Sequence, residues 1–267
     1  MKWRHPARSV GKLWGYLWFA CLGLFVAGET VQAAPAIRVL FIGNSQTTVW
    51  DLPQMIKTLA DSAPEERARI EFGRATKGGA SLKKHWDAGE AAGAALAMIN
   101  QEKWDYVVLQ EIYNATQAEF GDYAMKFDEV IRKSGARTVL FATAHVTEYY
   151  HPDARFPESF MPLNEMQTAL GKSHGILVAA AGYTWIHYLG PTPSEAQLLD
   201  LYDKDRGHPG AKGTYLYACL LYAVLTRTNP EGLTHEFPQI RGGILIPPAE
   251  AVEMQRVAWK QYSENLP

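Results

Sequence analysis

The sequence predicts an α/β protein, a three-layer α/β/α sandwich around a mostly parallel sheet of five strands. Short apolar, β-branched runs recur along the chain, which is the signature of strands covered on both faces. Between them lie stretches with helical spacing. Strands alternating with helices imply right-handed crossovers and a parallel sheet. No internal repeat or low-complexity linker interrupts the pattern, so one domain is expected.

Each element has its own signal. Lys2, Arg4, Arg8 and Lys12 form a basic start, followed by an apolar stretch from Leu13 to Ala27. Val31-Gln32-Ala33 then places small residues where a signal peptidase needs them. Basic, apolar and small residues in that order are an export pattern. Residues 1–33 are therefore expected to form a signal peptide, cleaved after Ala33 or one residue later, and residues 34–267 the mature domain, periplasmic or secreted. The apolar run is about 15 residues, short of the roughly 20 needed to span a bilayer. No stable membrane insertion is expected after cleavage. An uncleaved anchor and a lipidated Cys21 are the alternatives.

Ile37 to Ile42 reads as the first strand and Leu52 to Ala60 as a helix. Ile70 to Phe72 begins a weaker second strand, followed by a helix from Ala91 to Asn100. Tyr106 to Leu109 is the third strand and Tyr123 to Lys133 the next helix. Thr138 to Ala142 and Ile176 to Ala180 are the last strands, with a helix from Leu163 to Lys172 between them. Glu148 to Pro162 is polar, aromatic and proline-containing, and reads as a surface loop at a substrate rim. From Pro209 to Thr226 the apolar residues Ala211, Tyr215, Ala218, Cys219 and Tyr222 recur on one helical face. Pro209 suits the first turn, where a missing N–H costs nothing. A last helix runs from Ala249 to about Tyr262.

Composition narrows the function. A formal net charge of -2 with 47% hydrophobic residues describes a globular chain rather than a disordered one. The balanced charge leaves no electrostatic footprint for nucleic acid. Cys219 alone survives signal cleavage, so the exported fold has no internal disulfide. In its apolar helix it reads as a small buried hydrophobe rather than a nucleophile.

In an open parallel sheet, ligands bind beyond the carboxyl ends of the strands. Gly43-Asn44-Ser45 follows the first strand, Lys77-Gly78-Gly79 the second and Gln110-Glu111 the third. A serine hydroxyl becomes a nucleophile only when a base takes its proton, and that base must be oriented by a third group. Asp205-Arg206-Gly207-His208 supplies both on one loop, with His208 as base and Asp205 as its support. A serine after a strand is more often a helix N-cap, and an Asp-x-x-His pair alone is weak. Their joint occurrence carries the reading.

In these blocks the chain resembles the SGNH (GDSL-like) hydrolases, and the match runs through most of the mature protein in block order. Gly43-Asn44-Ser45 is similar to the first block, Gly78-Gly79 to the second and Asp205 to His208, then Pro209, to the last. The third block departs: Gly-x-Asn-Asp is the common form, and this chain has Leu109-Gln110-Glu111. A Gln-Gly-Glu pattern there marks sialate O-acetylesterase-like carbohydrate esterases, and Gln110-Glu111 is similar to it without the glycine. The resemblance implies a flavodoxin-like fold and a carboxylic ester hydrolase that needs no metal or cofactor. It further implies an oxyanion hole from the N–H groups of Ser45 and Gly79 and the side chain of Gln110. Gly78 is the alternative glycine and Asn114 the alternative side-chain donor. Asn44 would bridge the first loop to this network.

Other residues admit two readings. His85-Trp86 shapes a pocket, or is a packed Trp beside a surface His. Glu111 orients Gln110, pairs with a cation, or is solvated. Tyr183, Trp185 and Tyr188 form a sugar-stacking rim or belong to the core. His145, His151 and His174 lack metal-ligand spacing. The expected substrate is a small-molecule or carbohydrate ester, with an O-acetyl group on a sugar preferred. Acyl transfer by the same residues and a non-catalytic carbohydrate-binding relic are the competing classes.

Overall fold

A computed structural model describes residues 1–3, 35–143 and 161–264. The chain divides into two compact units, Met1–Val31 and Gln32–Pro267, and the second holds the sheet and its helices. The signal-peptide reading and nearly all of the Glu148 to Pro162 loop lie outside the described residues, as do His145 and His151.

Strands β1 (Ile37–Gly43), β2 (Ile70–Thr76), β3 (Tyr106–Leu109), β4 (Arg137–Phe141) and β5 (Leu177–Ala179) form one sheet in the order β2-β1-β3-β4-β5. Every neighbouring pair in it is parallel. Strand order reverses between β1 and β3, and a crevice opens at such a switch point. Side chains alternate across the sheet. Val39, Phe41, Val108, Val139 and Phe141 face one hydrophobic layer, while Leu40, Ile42, Val107, Leu109 and Leu140 face the other.

The first layer is built on helices α2 (Leu52–Asp61), α9 (Ala211–Thr226) and α10 (Pro248–Glu264), and the second on α3 (Leu82–Asp87), α4 (Ala95–Gln101) and α5 (Gln117–Ser134). Helix α5 starts six residues before its expected start because Thr116 caps it by accepting the Glu119 N–H. Helix α4 starts later than expected, after Gly93 takes a φ of 77° that breaks helical geometry.

Helix α9 departs from the expectation of one apolar face. Every residue from Gly213 to Leu225 is buried, so it is a core helix covered all round. Pro209 is not in its first turn. It forms an isolated bridge with Tyr202, and the helix begins at Ala211 after Gly210. Burial pushes the Cys219 thiol up to about 12, which removes its nucleophilic form at neutral pH.

Helix α6 (Met161–His174) and shorter elements complete the fold: α1 (Ser45–Thr48), α7 (Ala181–Leu189), α8 (Glu195–Asp200) and a two-stranded ribbon, β6 (Glu236–Phe237) with β7 (Ile244–Leu245). The ribbon and α7 carry no counterpart in the sequence reading. Trp185 on α7 is fully buried, stacked on Tyr217 and edge-on to Tyr202. Burying such a ring stabilises by about 1.5–3 kcal/mol or more, so Trp185 belongs to the core and the three-aromatic rim is not formed. Among the described residues no helix is long and apolar enough to cross a membrane.

Candidate active site

Backbone pairing gathers three strand ends. Lys77 N–H donates to the Gly43 carbonyl at 3.1 Å, and Gln110 N–H to the Ile42 carbonyl at 2.9 Å. The polar segments after β1, β2 and β3 therefore meet at one edge. Asn44 caps α1, its side chain accepting the Gln46 N–H, and Ser45 follows as the first helical residue. A first-turn N–H has no partner inside a helix, which leaves that of Ser45 available to a ligand.

The loop before α9 brings the base. His208 Nε2 lies 2.8 Å from Ser45 Oγ, and His208 Nδ1 lies 2.6 Å from Asp205 Oδ2. The carboxylate accepts the Nδ1 proton, so Nε2 is left bare to accept the serine hydroxyl. Asp205 Oδ1 also accepts the N–H groups of Gly207 and His208, at 2.9 and 3.0 Å. Burial alone would raise the Asp205 carboxyl, but these bonds and the imidazole outweigh it and hold it at about 2. Asp205 is thus a fixed anion despite a half-exposed side chain. The loop is pinned below: His208 carbonyl accepts Asp203 N–H, and Leu201 carbonyl accepts Gly210 N–H, both at 2.8 Å.

The glycine segment forms a turn closed by Ala80 N–H on the Lys77 carbonyl at 3.0 Å. Gly79 sits in it with φ 63°, a conformation glycine adopts without strain. Ser81 then caps α3. Among the described residues the Gly79 N–H meets no acceptor. Asn44 Nδ2 donates to the Ala80 carbonyl at 3.0 Å, tying the glycine turn to the serine turn.

Gln110 is buried behind Ser45. Its Oε1 accepts Asn44 N–H at 2.9 Å and the Thr47 hydroxyl at 3.1 Å, and its Nε2 donates to the Glu111 carbonyl. The carboxamide is oriented by three partners and keeps one N–H unassigned. Asn114 is exposed and stands apart from this cluster.

Gln46 and Trp50 escaped the sequence reading, and His85 takes neither of the roles weighed for it. His85 is buried, not on the surface: its Nε2 is 2.8 Å from the Gly43 carbonyl. Burial, aided by Lys77, pushes the imidazole below its ordinary range against the effect of that bond, so a neutral ring donates. Trp86 packs edge-on against Phe127. Gln46 donates to the Gly207 carbonyl, and Trp50 Nε1 to Asp203 at 3.2 Å. Leu82 and His85 share one face of α3, three residues apart, which is the sequence signal that would have placed His85 inward.

With this geometry in hand, solved structures offer a comparison. A candidate SGNH hydrolase from Slackia heliotrinireducens is 24% identical, with 71% of this chain and 98% of that one covered and a TM-score of 0.56. The chain has the SGNH-hydrolase fold. An acetyl-xylooligosaccharide esterase variant from Geobacillus stearothermophilus superposes with a TM-score of 0.57 at 13% identity, covering 73% of this chain and 96% of that one. A psychrotrophic esterase from Pseudoalteromonas sp., inhibited by monoethylphosphonate, gives 0.51 at 14% identity, covering 71% and 97%. No protein-family model matches the sequence, and no curated protein matches it. The cluster of Ser45, His208, Gly79 and Gln110 lies at the carboxyl ends of β1, β2 and β3. The arrangement can move a proton from the Ser45 hydroxyl to the His208 imidazole.

Proposed function

We propose that the chain is a serine esterase that hydrolyses carboxylic esters through an acyl-enzyme. The observation that carries this reading is the 2.8 Å contact between Ser45 Oγ and His208 Nε2, with Asp205 behind the imidazole. Ser45 Oγ bonds to the ester carbonyl carbon as its proton passes to His208 Nε2. The π-electron pair moves onto the carbonyl oxygen, where the N–H groups of Ser45 and Gly79 and the free N–H of Gln110 stabilise it. The tetrahedral intermediate collapses, the C–O bond to the alcohol breaks, and His208 returns its proton to the leaving oxygen. Water, deprotonated by the same imidazole, then releases the carboxylic acid and restores Ser45. Each oxyanion donor is worth about 100- to 1,000-fold in rate. Neither metal nor cofactor enters these steps.

For substrate we favour a short acyl group, with O-acetyl esters of carbohydrates first. Gln110 in the third block and the likeness to an acetyl-xylooligosaccharide esterase support that choice. Burial of Trp185 removes the aromatic-rim argument for it. We also propose export with cleavage after Ala33 or Ala34, which N-terminal sequencing of the processed protein tests.

The deciding experiment is a panel of p-nitrophenyl esters of increasing acyl length and acetylated sugars, with Ser45→Ala as control. The reading expects turnover that Ser45→Ala loses by on the order of 10⁴-fold or more, and labelling of Ser45 by a phosphonate ester. Retained turnover in the variant would move the nucleophile elsewhere. An alcohol acceptor that outcompetes water would make the protein an acyltransferase.

A further inference from the structure

Glu111 is 2% exposed and sits at the meeting of two strand ends. Its Oε1 accepts the N–H of Ile112 at 2.6 Å and that of Leu82 at 3.1 Å. Leu82 opens α3, directly after the Gly79 turn, so this one oxygen joins the second segment to the third. The Glu111 carbonyl accepts Gln110 Nε2. Its Oε2 is buried with no hydrogen-bond partner among the described residues. The acyl-transfer steps use neither carboxyl oxygen.

Such a carboxyl is costly as an anion. A buried charge is tolerated when paired and fully hydrogen-bonded, and one oxygen here has no partner among the described residues. The charged and titratable groups on the elements against it are turned to other tasks. On α3, Lys83 meets Asp87 and the Tyr123 ring, Lys84 Nζ the Gly79 carbonyl, and His85 the Gly43 carbonyl. On α5, Glu119 is itself acidic. Backbone N–H groups alone hold the carboxyl oxygen that is satisfied.

We propose that Glu111 is a positioning residue for the oxyanion donors, its carboxyl clasping the first residue of α3, just past the glycine turn, to the segment that follows Gln110. The inference rests on the esterase reading. While neutral, below about pH 7, it steadies the segments that carry Gly79 and Gln110 without placing negative charge beside the oxygen that becomes negative in the reaction. Burial, with a smaller push from Glu119, raises its carboxyl to about 7, against the pull of the two N–H bonds. The stability of the neutral form is fully present below the ordinary glutamate range and is lost as pH rises through about 7. Ionised Glu111 opposes both the fold and the oxyanion.

The test compares wild type, Glu111→Gln and Glu111→Ala in kcat and KM for p-nitrophenyl acetate from about pH 6 to about pH 9, with melting curves at each pH. Gln keeps the acceptor oxygen and cannot ionise. Glu111→Ala is expected to lower kcat about 100-fold, the scale of a 1 Å misplacement, with little change in KM. Glu111→Gln is expected to stay close to wild type at the acid end. Its kcat relative to wild type should rise as pH passes 7, whereas its gain in melting temperature over wild type should be largely complete by about pH 7 and level above it, where the carboxyl is ionised in both folded and unfolded chains. A full kcat in Glu111→Ala, or a Gln-to-wild-type ratio that stays flat with pH, overturns the proposal. Should the Ala variant not fold, the Gln ratio decides alone. A wild type that turns over no ester and is not labelled at Ser45 fails on its own account, which separates loss of the esterase reading from loss of the clasp.

Discussion

Gln46 and Gly207 are joined by a 2.9 Å hydrogen bond from a side-chain amide to a backbone carbonyl, across 161 positions of sequence. Gln46 follows the serine and Gly207 precedes the histidine, so the bond sets the distance between the two reacting groups. Trp50 repeats the link lower down by donating to Asp203, and Arg241 lies over the Trp50 ring at 4.6 Å.

Removing that bond should cost rate more than binding. Gln46→Leu keeps the volume and leaves the Gly207 carbonyl without its donor, a loss of about 1 kcal/mol, or about fivefold if expressed in kcat. KM for a small aryl ester should hardly move, since Gln46 is buried with its amide engaged by the Gly207 carbonyl. Steady-state kinetics on p-nitrophenyl acetate check this. An unchanged kcat would show that the Asp205 turn holds His208 without help.

Asp205→Asn tests the electrostatic half of the relay. Asn can still accept the Gly207 and His208 N–H groups, so the turn should survive. Its amide, however, presents a donor to Nδ1 and stabilises the wrong tautomer. A fall in kcat of about 10⁴-fold is expected, the scale known for such a change in another serine hydrolase, with near-native circular dichroism. The same variant has a pH signature. The depressed carboxyl of Asp205 contributes stability above the ordinary aspartate range that is lost as pH falls toward about 2. Side-chain exposure and solvent screening make that contribution small. Acid melts of Asp205→Asn should therefore show less loss across that interval than wild type.

The fold was legible because its signals are local. β1, β3 and β4 announce themselves as continuous β-branched runs, and the strand-end rule then places Ser45, Gly79 and Gln110 at one edge. What the sequence hid is orientation. His85, Gln46 and Trp50 act through hydrogen bonds to residues 42, 161 and 153 positions away. No spacing rule records such pairs. Trp185 was ambiguous because the helix carrying it follows directly on β5, and only packing against Tyr217 and Tyr202 turns its ring inward. Pro209 misled for a related reason: its value at a first helical turn was outweighed by the bridge to Tyr202, which holds the histidine loop.

Arg206 lies between Asp205 and His208 at φ 56°, in the left-handed region. A non-glycine residue there costs about 1–2 kcal/mol. Arg206→Gly removes the strain but adds freedom to the unfolded chain, so stability should stay near wild type, with activity kept. Arg206→Val places a β-branched residue where it is least tolerated. Melting temperature should drop by several degrees, on the scale of about 2–4 °C per kcal/mol for a domain of this size. Activity should fall further, because the strained turn carries both Asp205 and His208. Differential scanning calorimetry with parallel kinetics separates the two effects. A Val variant as active as wild type would show that the loop geometry is not needed.

Gly43 ends β1 where Gln110 packs closest. A Cβ there would sit 2.7 Å from Gln110 Oε1 and 2.9 Å from Thr47 Oγ1. Those atoms form the hydrogen bond that, with the Asn44 N–H, fixes the serine turn. Gly43→Ala cannot be absorbed by a flexible chain end, since Gln110 is buried and bonded at both ends of its amide. Overpacking of this kind costs about 1–3 kcal/mol, and the displaced Gln110 should withdraw both the Asn44 support and an oxyanion donor. Activity should therefore fall more than stability. The cause is isolated by a double-mutant cycle. A Gln110→Ala background removes the closest contact, at Oε1, and leaves those with Thr47 Oγ1 at 2.9 Å and the residue-110 Cβ at 3.0 Å, so Gly43→Ala should cost less there than in wild type, by more than about 0.5 kcal/mol, while kcat stays low. Additive stability losses would place the strain on Thr47 or the backbone instead, and full activity in Gly43→Ala would remove Gln110 from the oxyanion hole.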